Sequence, residues 1–263
     1  MQEKKQFKIV SSKKTRYILP NILTLVGVCL GISSIKFSLD QNYSLAVIFI
    51  IFAALLDALD GRIARLIKGT SDFGKELDSL TDFVSFGIAP AFIIYFWELK
   101  NYGKIGWGLT LIFSVCCVLR LARFNLTTFK TEEDWKMNFF QGIPSPAGGI
   151  LILLPLIFEL SNFNTTVNYK MITPYLVAMI AILLISKMPT FSFKKISIPQ
   201  KLTIFILFGI GVSFVSLVFF TFETLFILGL LYLATLPLSL IIYFKKLKKT
   251  ENSDIDDEHE DVL

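Results

Sequence analysis

The sequence predicts an all-α, polytopic transmembrane bundle of about eight spans with both termini on the cytoplasmic side. Three observations predict it. Hydrophobic side chains make up 54% of the 263 residues, and the mean hydropathy is +0.64. The apolar residues also fall in blocks long enough to cross about 30 Å of hydrocarbon, each followed by a short polar link, which implies helices rather than a barrel.

The spans are taken in order. A basic segment, residues 1–18, carries Lys4, Lys5, Lys8, Lys13, Lys14 and Arg16 and leads into a span from Leu19 to Leu39. That block is too long and too late for a signal-peptide core, and no small-residue cleavage pattern follows it. The second span, Tyr43 to Leu66, follows the short link Asp40-Gln41-Asn42. The third runs from Asp78 to Trp97 and the fourth from Ile105 to Leu121. Four more are placed at Gly142 to Leu160, Pro174 to Met188, Leu202 to Phe222 and Leu225 to Phe244. Together they form one membrane domain, residues 19–244, before a tail, residues 245–263.

Charge fixes the orientation, because Lys and Arg collect in cytoplasmic loops. Arg62, Arg65, Lys68 and Lys75 lie between spans two and three; Arg120, Arg123, Lys130 and Lys136 lie between four and five. Lys194, Lys195 and Lys201 follow span six, and Lys245 to Lys249 close span eight. The alternate loops are poor in cations. The net charge of +5 therefore faces an anionic leaflet and its lipids rather than nucleic acid. The pattern places a multi-pass protein in the cell (inner) membrane.

Cys29, Cys116 and Cys117 fall inside spans without metal-ligand spacing and read as packing residues. His259 is the single histidine and lies in the acidic tail ENSDIDDEHEDVL, whose composition predicts disorder. Ser-His-Asp chemistry and histidine zinc sites are thereby excluded.

Four aspartates stand where carboxylates are costly. Asp57 and Asp60 end the second span and Asp78 and Asp82 open the third, although a charge at mid-membrane costs about 2.5–3.5 kcal/mol and less near the interface. Residues three or four apart share a helix face, so each pair is aligned, and a short turn makes the two helices antiparallel neighbours. Converging carboxylates need a cation. Oxygen ligands without sulfur or imidazole select Mg²⁺ or Mn²⁺, and two acidic pairs can hold two ions. Gly61, Ala64 and Gly74 leave room for a ligand to approach, and the forked donor of Arg65 suits a phosphate. A lone Asp at a helix end is usually a cap or a solvated charge; it is the combination that points to a diphosphate site.

Asp57 to Asp82 match DxxDGxxARx8GxxxDxxxD at every fixed position, the signature of the CDP-alcohol phosphotransferases, which this chain resembles. FVSFGIAPA (Phe83 to Ala91), RLARFN (Arg120 to Asn125) and FQGIPSPAGG (Phe140 to Gly149) further resemble the bacterial membrane-type phosphatidylserine synthases. The resemblance implies that Asp57, Asp60, Asp78 and Asp82 hold two metal ions on the diphosphate of a CDP-lipid and that Asp82 is also the general base. It implies that Asn21, Thr24, Gly61, Arg65 and Ser71 contact the nucleotide and its phosphates. The activity implied is transfer of the phosphatidyl group from CDP-diacylglycerol to L-serine, giving phosphatidylserine and CMP, at the cytoplasmic side of the membrane; a homodimer is implied as well.

The serine carboxylate needs a fixed cation. Arg120 and Arg123 lie three apart at the inner end of the fourth span and either can supply it, with Asn125, Gln141 and Ser145 as neutral partners nearby. The same arginines can hold the phosphate of glycerol 3-phosphate, so a phosphatidylglycerophosphate synthase stays open on chemistry alone; RLARFN and QGIPSP tip the choice to serine. A cation- or proton-coupled transporter is the alternative of another class, against which no second acidic constellation is found in the later spans.

Overall fold

In the computed structural model, the described residues are 18–67, 71–127, 139–163, 169–191 and 200–260. The basic segment before Ile18, and with it most of the expected N-terminal region, lies outside them.

Helix α1, Ile18–Leu39, buries a stripe of small residues, Thr24, Gly27, Gly31, Ser34 and Ser38. Small side chains let backbones approach closely, which suits helix association in lipid. Gln41 takes a positive φ of 60° in the tight link that follows, and the Asn42 side chain accepts from Leu45 N to cap α2, Tyr43–Leu66. Helix α3, Asp72–Asp82, starts six residues earlier than the apolar pattern suggests, because its first turns are amphipathic and capped by Ser71. It passes into a π-helical turn, Phe83–Ile88, and then α4, Ala89–Trp97.

The π turn follows Asp82 directly, and such insertions commonly mark functional positions. It is gripped from two sides. A Cβ on Gly31 of α1 would stand 2.9 Å from Ser85 Cα, and one on Gly149 would stand 2.9 Å from Phe86 O. Ser85 Oγ donates to Gly27 O at 3.3 Å.

After a 3₁₀ turn, Leu99–Tyr102, α5 covers Gly103–Thr127. The fifth predicted span is an interrupted helix: residues 142–160 hold a loop, α6 at Ser145–Ile152 and α7 at Leu154–Leu160. The helix is interrupted at Leu153, and Pro155 in the first turn of α7 supplies no backbone N–H. Leu151, Ile152, Leu153, Leu154, Leu156 and Ile157 are all buried, so this broken pair is core rather than lipid-facing surface.

Helix α8 spans Tyr169–Ile185, α9 Gln200–Phe219 and α10 Thr221–Glu260. The tail from residue 245, predicted to lack structure, continues α10 through Glu260. Beyond Pro237 it contains neither proline nor glycine, and Lys, Glu and Leu extend a helix that has already paid its nucleation cost.

The architecture is helical with one addition that periodicity did not reveal. β1, Phe139–Gln141, pairs antiparallel with β2, Pro189–Phe191, with Phe140 opposite Thr190. Strands of three residues are too short to show an alternating pattern.

Among the described residues, five helical stretches are long and apolar enough to cross a membrane: Ile18–Leu39, Tyr43–Leu66, Asp72–Trp97, Leu99–Leu126 and Thr221–Tyr243. Lys170–Ile185 and Leu207–Phe219 are shorter apolar helices.

Candidate active site

Helix α1 packs against both α2 and α3, and the start of α1, the end of α2 and the start of α3 come together around one cavity. Asp57, Asp60 and Asp78 each present an oxygen, and these oxygens lie within 4.8 Å of one another. Two full negative charges at such a separation repel by about 3 kcal/mol even at an effective dielectric near 20. Asp82, one turn beyond Asp78, faces Asp57, and its Oδ1 is buried without a hydrogen-bond partner among the described residues. An orphaned carboxylate oxygen beside three convergent carboxylates fits a hard divalent cation, which offers charge and takes only oxygen ligands.

Thr24 Oγ1 donates to Asp60 Oδ2 at 2.6 Å and sits 3.0 Å from Pro20 O. Both partners are buried. Thr24, matched by resemblance to a nucleotide contact, thus also fixes the rotamer of an aspartate.

A cavity of about 140 Å³ adjoins the cluster, lined by Pro20, Asn21 and Thr24 of α1, by Asp60, Gly61 and Ala64 of α2, and by Ser71, Gly74, Lys75 and Asp78. The two glycines serve it differently. A Cβ on Gly61 would meet nothing within 4 Å, so that position faces open space. A Cβ on Gly74 would lie 3.2 Å from Asn21 Oδ1 and 3.1 Å from Ser71 Oγ, so Gly74 is small because α1 packs against it. Ser71 Oγ accepts from Gly74 N at 3.0 Å, which makes the hydroxyl the cap of α3 as well as part of the wall. Arg65 is exposed, outside this lining, and its Nε donates to Gly61 O at 2.9 Å.

The residues expected to bind the acceptor separate in space. Arg120 is 8% exposed; its Nη1 donates to Ser145 Oγ, its guanidinium lies 5.4 Å from the Phe124 ring centroid, and its charge acts on Asp57 and Asp82. Ser145 is the first residue of α6 and is buried. Arg123 turns elsewhere: Nη1 donates to Ile185 O at 2.6 Å and Nη2 to Ser186 O at 3.1 Å, at the end of α8. Asn125 Nδ2 donates to Ser79 Oγ at 3.0 Å, tying α5 to α3 beside Asp78. The backbone of Gln141 ends β1, and its side chain lies outside the described part of the molecule.

Two further residues enter the site. Lys75 lines the cavity while pairing with exposed Asp72 at 3.1 Å; its place directly after Gly74 was the available signal, but a lysine in a basic loop reads equally as a topology marker. Tyr232 of α10 stands close enough to Arg120 for their charges to interact, and no local pattern links two residues so far apart in the chain.

Comparison with known proteins adds an independent line. Residues 17–187 match the family model of CDP-alcohol phosphatidyltransferases. The chain is 34% identical over 227 residues to the CDP-diacylglycerol–serine O-phosphatidyltransferase of Mycobacterium leprae (strain TN), covering 85% of this chain and 74% of that protein. It is 34% identical over 199 residues to the protein of the same name from Helicobacter pylori (strain ATCC 700392 / 26695), covering 76% and 82%. A similarly named protein of Methanocaldococcus jannaschii is 34% identical over 188 residues, covering 72% and 78%.

Proposed function

Because the chain belongs to the CDP-alcohol phosphatidyltransferase family, we propose that it transfers the phosphatidyl group of CDP-diacylglycerol to L-serine, giving phosphatidylserine and CMP. The observation that carries this reading is the convergence of Asp57, Asp60 and Asp78 beside an open cavity, with the charge of a buried guanidinium, Arg120, acting on Asp82.

Mg²⁺ or Mn²⁺, two ions held by Asp57, Asp60, Asp78 and Asp82, would when bound neutralise the diphosphate oxygens and the charge that gathers on departing CMP. The protein residues do the rest. Thr24 holds Asp60 in place. Gly61 leaves its side of the cavity clear for the diphosphate, and Asn21, Ala64, Arg65, Ser71 and Gly74 shape the surroundings of the nucleotide. Arg120 takes the serine carboxylate and orients the hydroxyl toward phosphorus. Asp82 Oδ1 removes the hydroxyl proton as the serine oxygen bonds to the phosphorus bearing diacylglycerol and the bond to CMP breaks, a base role worth about 10²- to 10⁴-fold.

Serine is favoured over glycerol 3-phosphate by the engagement of Arg123 with the carbonyls of Ile185 and Ser186. That leaves Arg120 as the guanidinium whose charge acts on Asp57 and Asp82, and one fork matches one carboxylate in charge and geometry. Asn125 and Ser145 support this pocket through Ser79 and Arg120.

The same reading gives a multi-pass protein of the cell membrane with eight spans, α6–α7, α8 and α9 joining the five long ones. Both termini and the site face the cytoplasm, where CMP is released and serine is available, and two copies form a homodimer.

The test is product identity. Protein reconstituted with CDP-diacylglycerol, Mg²⁺ or Mn²⁺ and isotopically labelled serine is expected to form labelled phosphatidylserine by mass spectrometry. Metal-dependent CMP release without labelled lipid would reject serine as acceptor.

A further inference from the structure

Ser145, the hydrogen-bond partner of Arg120, is anchored by a strap formed from both short strands. Gly142 follows β1 directly and lies three residues before Ser145, the residue that meets Arg120. Five hydrogen bonds hold the strap together. Gly142 N donates to Met188 O at 2.8 Å, Thr190 Oγ1 donates to Gly142 O at 2.8 Å, Ser239 Oγ of α10 donates to Pro189 O at 2.6 Å, and Arg123 holds Ile185 O and Ser186 O just ahead of β2. Gly142 has φ +75°, and a Cβ there would lie 2.9 Å from both Leu184 O and Ser186 O and 3.3 Å from Arg123 Nη2. A left-handed conformation and this crowding both require glycine. Thr190 is 4% exposed and Ser239 1%, so these hydroxyls are spent inside the protein. Ile143, 1% exposed, and Pro144, with its fixed φ, leave little slack between Gly142 and Ser145.

We infer that this strap is the positioning element of the serine pocket: Arg123, Thr190 and Ser239, from three different elements, act through Gly142 and Ser145 to set where Arg120 meets the acceptor carboxylate. Thr190 and Ser239 lie outside the lining of the cavity beside Asp60 and Asp78, and their hydroxyls bond to the carbonyls of Gly142, Pro189 and Leu236, so a change at either acts first on the strap. The inference rests on serine being the acceptor.

The experiment is steady-state kinetics of the full chain with both substrates varied, for Arg123→Gln, Thr190→Val and Ser239→Ala beside the unaltered protein. Loss of a positioning hydrogen bond displaces a reacting group by a fraction of an ångström and weakens its binding. The serine KM is expected to rise about tenfold in Arg123→Gln and about threefold in each of the others, with the KM for CDP-diacylglycerol within about twofold. Arg123→Lys, which can still reach one carbonyl, should recover part of the loss. Thr190→Val keeps shape and volume, so it reports even where Arg123→Gln fails to fold. An unchanged serine KM in Thr190→Val and Ser239→Ala, or equal losses for both substrates in all variants, would overturn the inference while leaving serine-dependent CMP release by the unaltered protein intact. No such release by the unaltered protein would instead overturn the functional reading.

Discussion

The two halves of the proposed site, one read as holding the nucleotide and the other the acceptor, are built in opposite ways. The nucleotide half lies on α1, α2 and α3, where Asp57, Asp60 and Asp78 meet because helical periodicity and one short turn leave them little choice. The acceptor half draws Arg120 from α5, Ser145 from α6 and the carbonyls of Ile185 and Ser186 from the end of α8, joined by contacts between residues far apart in sequence. The first half is a local motif on a rigid frame; the second is a product of tertiary packing. Changes in the first should therefore strike chemistry and nucleotide binding, and changes in the second should strike acceptor binding first.

The largest expected effect would sharpen this contrast. Asp57→Ala, Asp60→Ala and Asp78→Ala should each lower CMP release by roughly 10³-fold or more, since each removes a ligand and no neighbour replaces it, while the proteins still insert in membranes. Normal release by any two of these variants would break the assignment of this half. Asp82→Asn should lower kcat about 10²- to 10⁴-fold yet retain metal-dependent CMP binding, measured by calorimetry in detergent; loss of binding as well would make Asp82 chiefly a ligand.

On the acceptor side, Arg120→Gln should raise the serine KM by about 10- to 100-fold, the range for removing a charged partner from a buried carboxylate contact, and leave the KM for CDP-diacylglycerol nearly unchanged. If both move together, the two halves are not separate. A smaller effect concerns Lys75, the cation in the cavity wall. Lys75→Gln should raise the KM for CDP-diacylglycerol about threefold, as expected for a largely exposed cation, with no change for serine. Thr24→Val should cost about 1 kcal/mol, or about fivefold in kcat, by releasing Asp60.

What could be read from sequence follows the same division. Helix ends at Leu39, Leu66 and Trp97 and the acidic cluster were legible because apolar block length and three- or four-residue spacing are local signals. Arg123 was not, since its spacing from Arg120 says nothing about carbonyls at the end of a helix roughly sixty residues away. Gly61 and Gly74 read alike as sequence but differ in space, one facing the cavity and the other packed on Asn21. The break at Leu153 could have been suspected from Pro155, yet a fully apolar run hid the division into two short buried helices. The tail misled through composition: charge argued for disorder, while its attachment to α10 supplied the helix nucleus.

The most direct measurement is CMP release by the purified protein given CDP-diacylglycerol and Mg²⁺ or Mn²⁺, with serine, glycerol 3-phosphate or inositol offered separately. The account expects release with serine alone, abolished by chelator. Equal or greater release with glycerol 3-phosphate would contradict the one-guanidinium pocket, and release with none of the three would contradict the transferase itself.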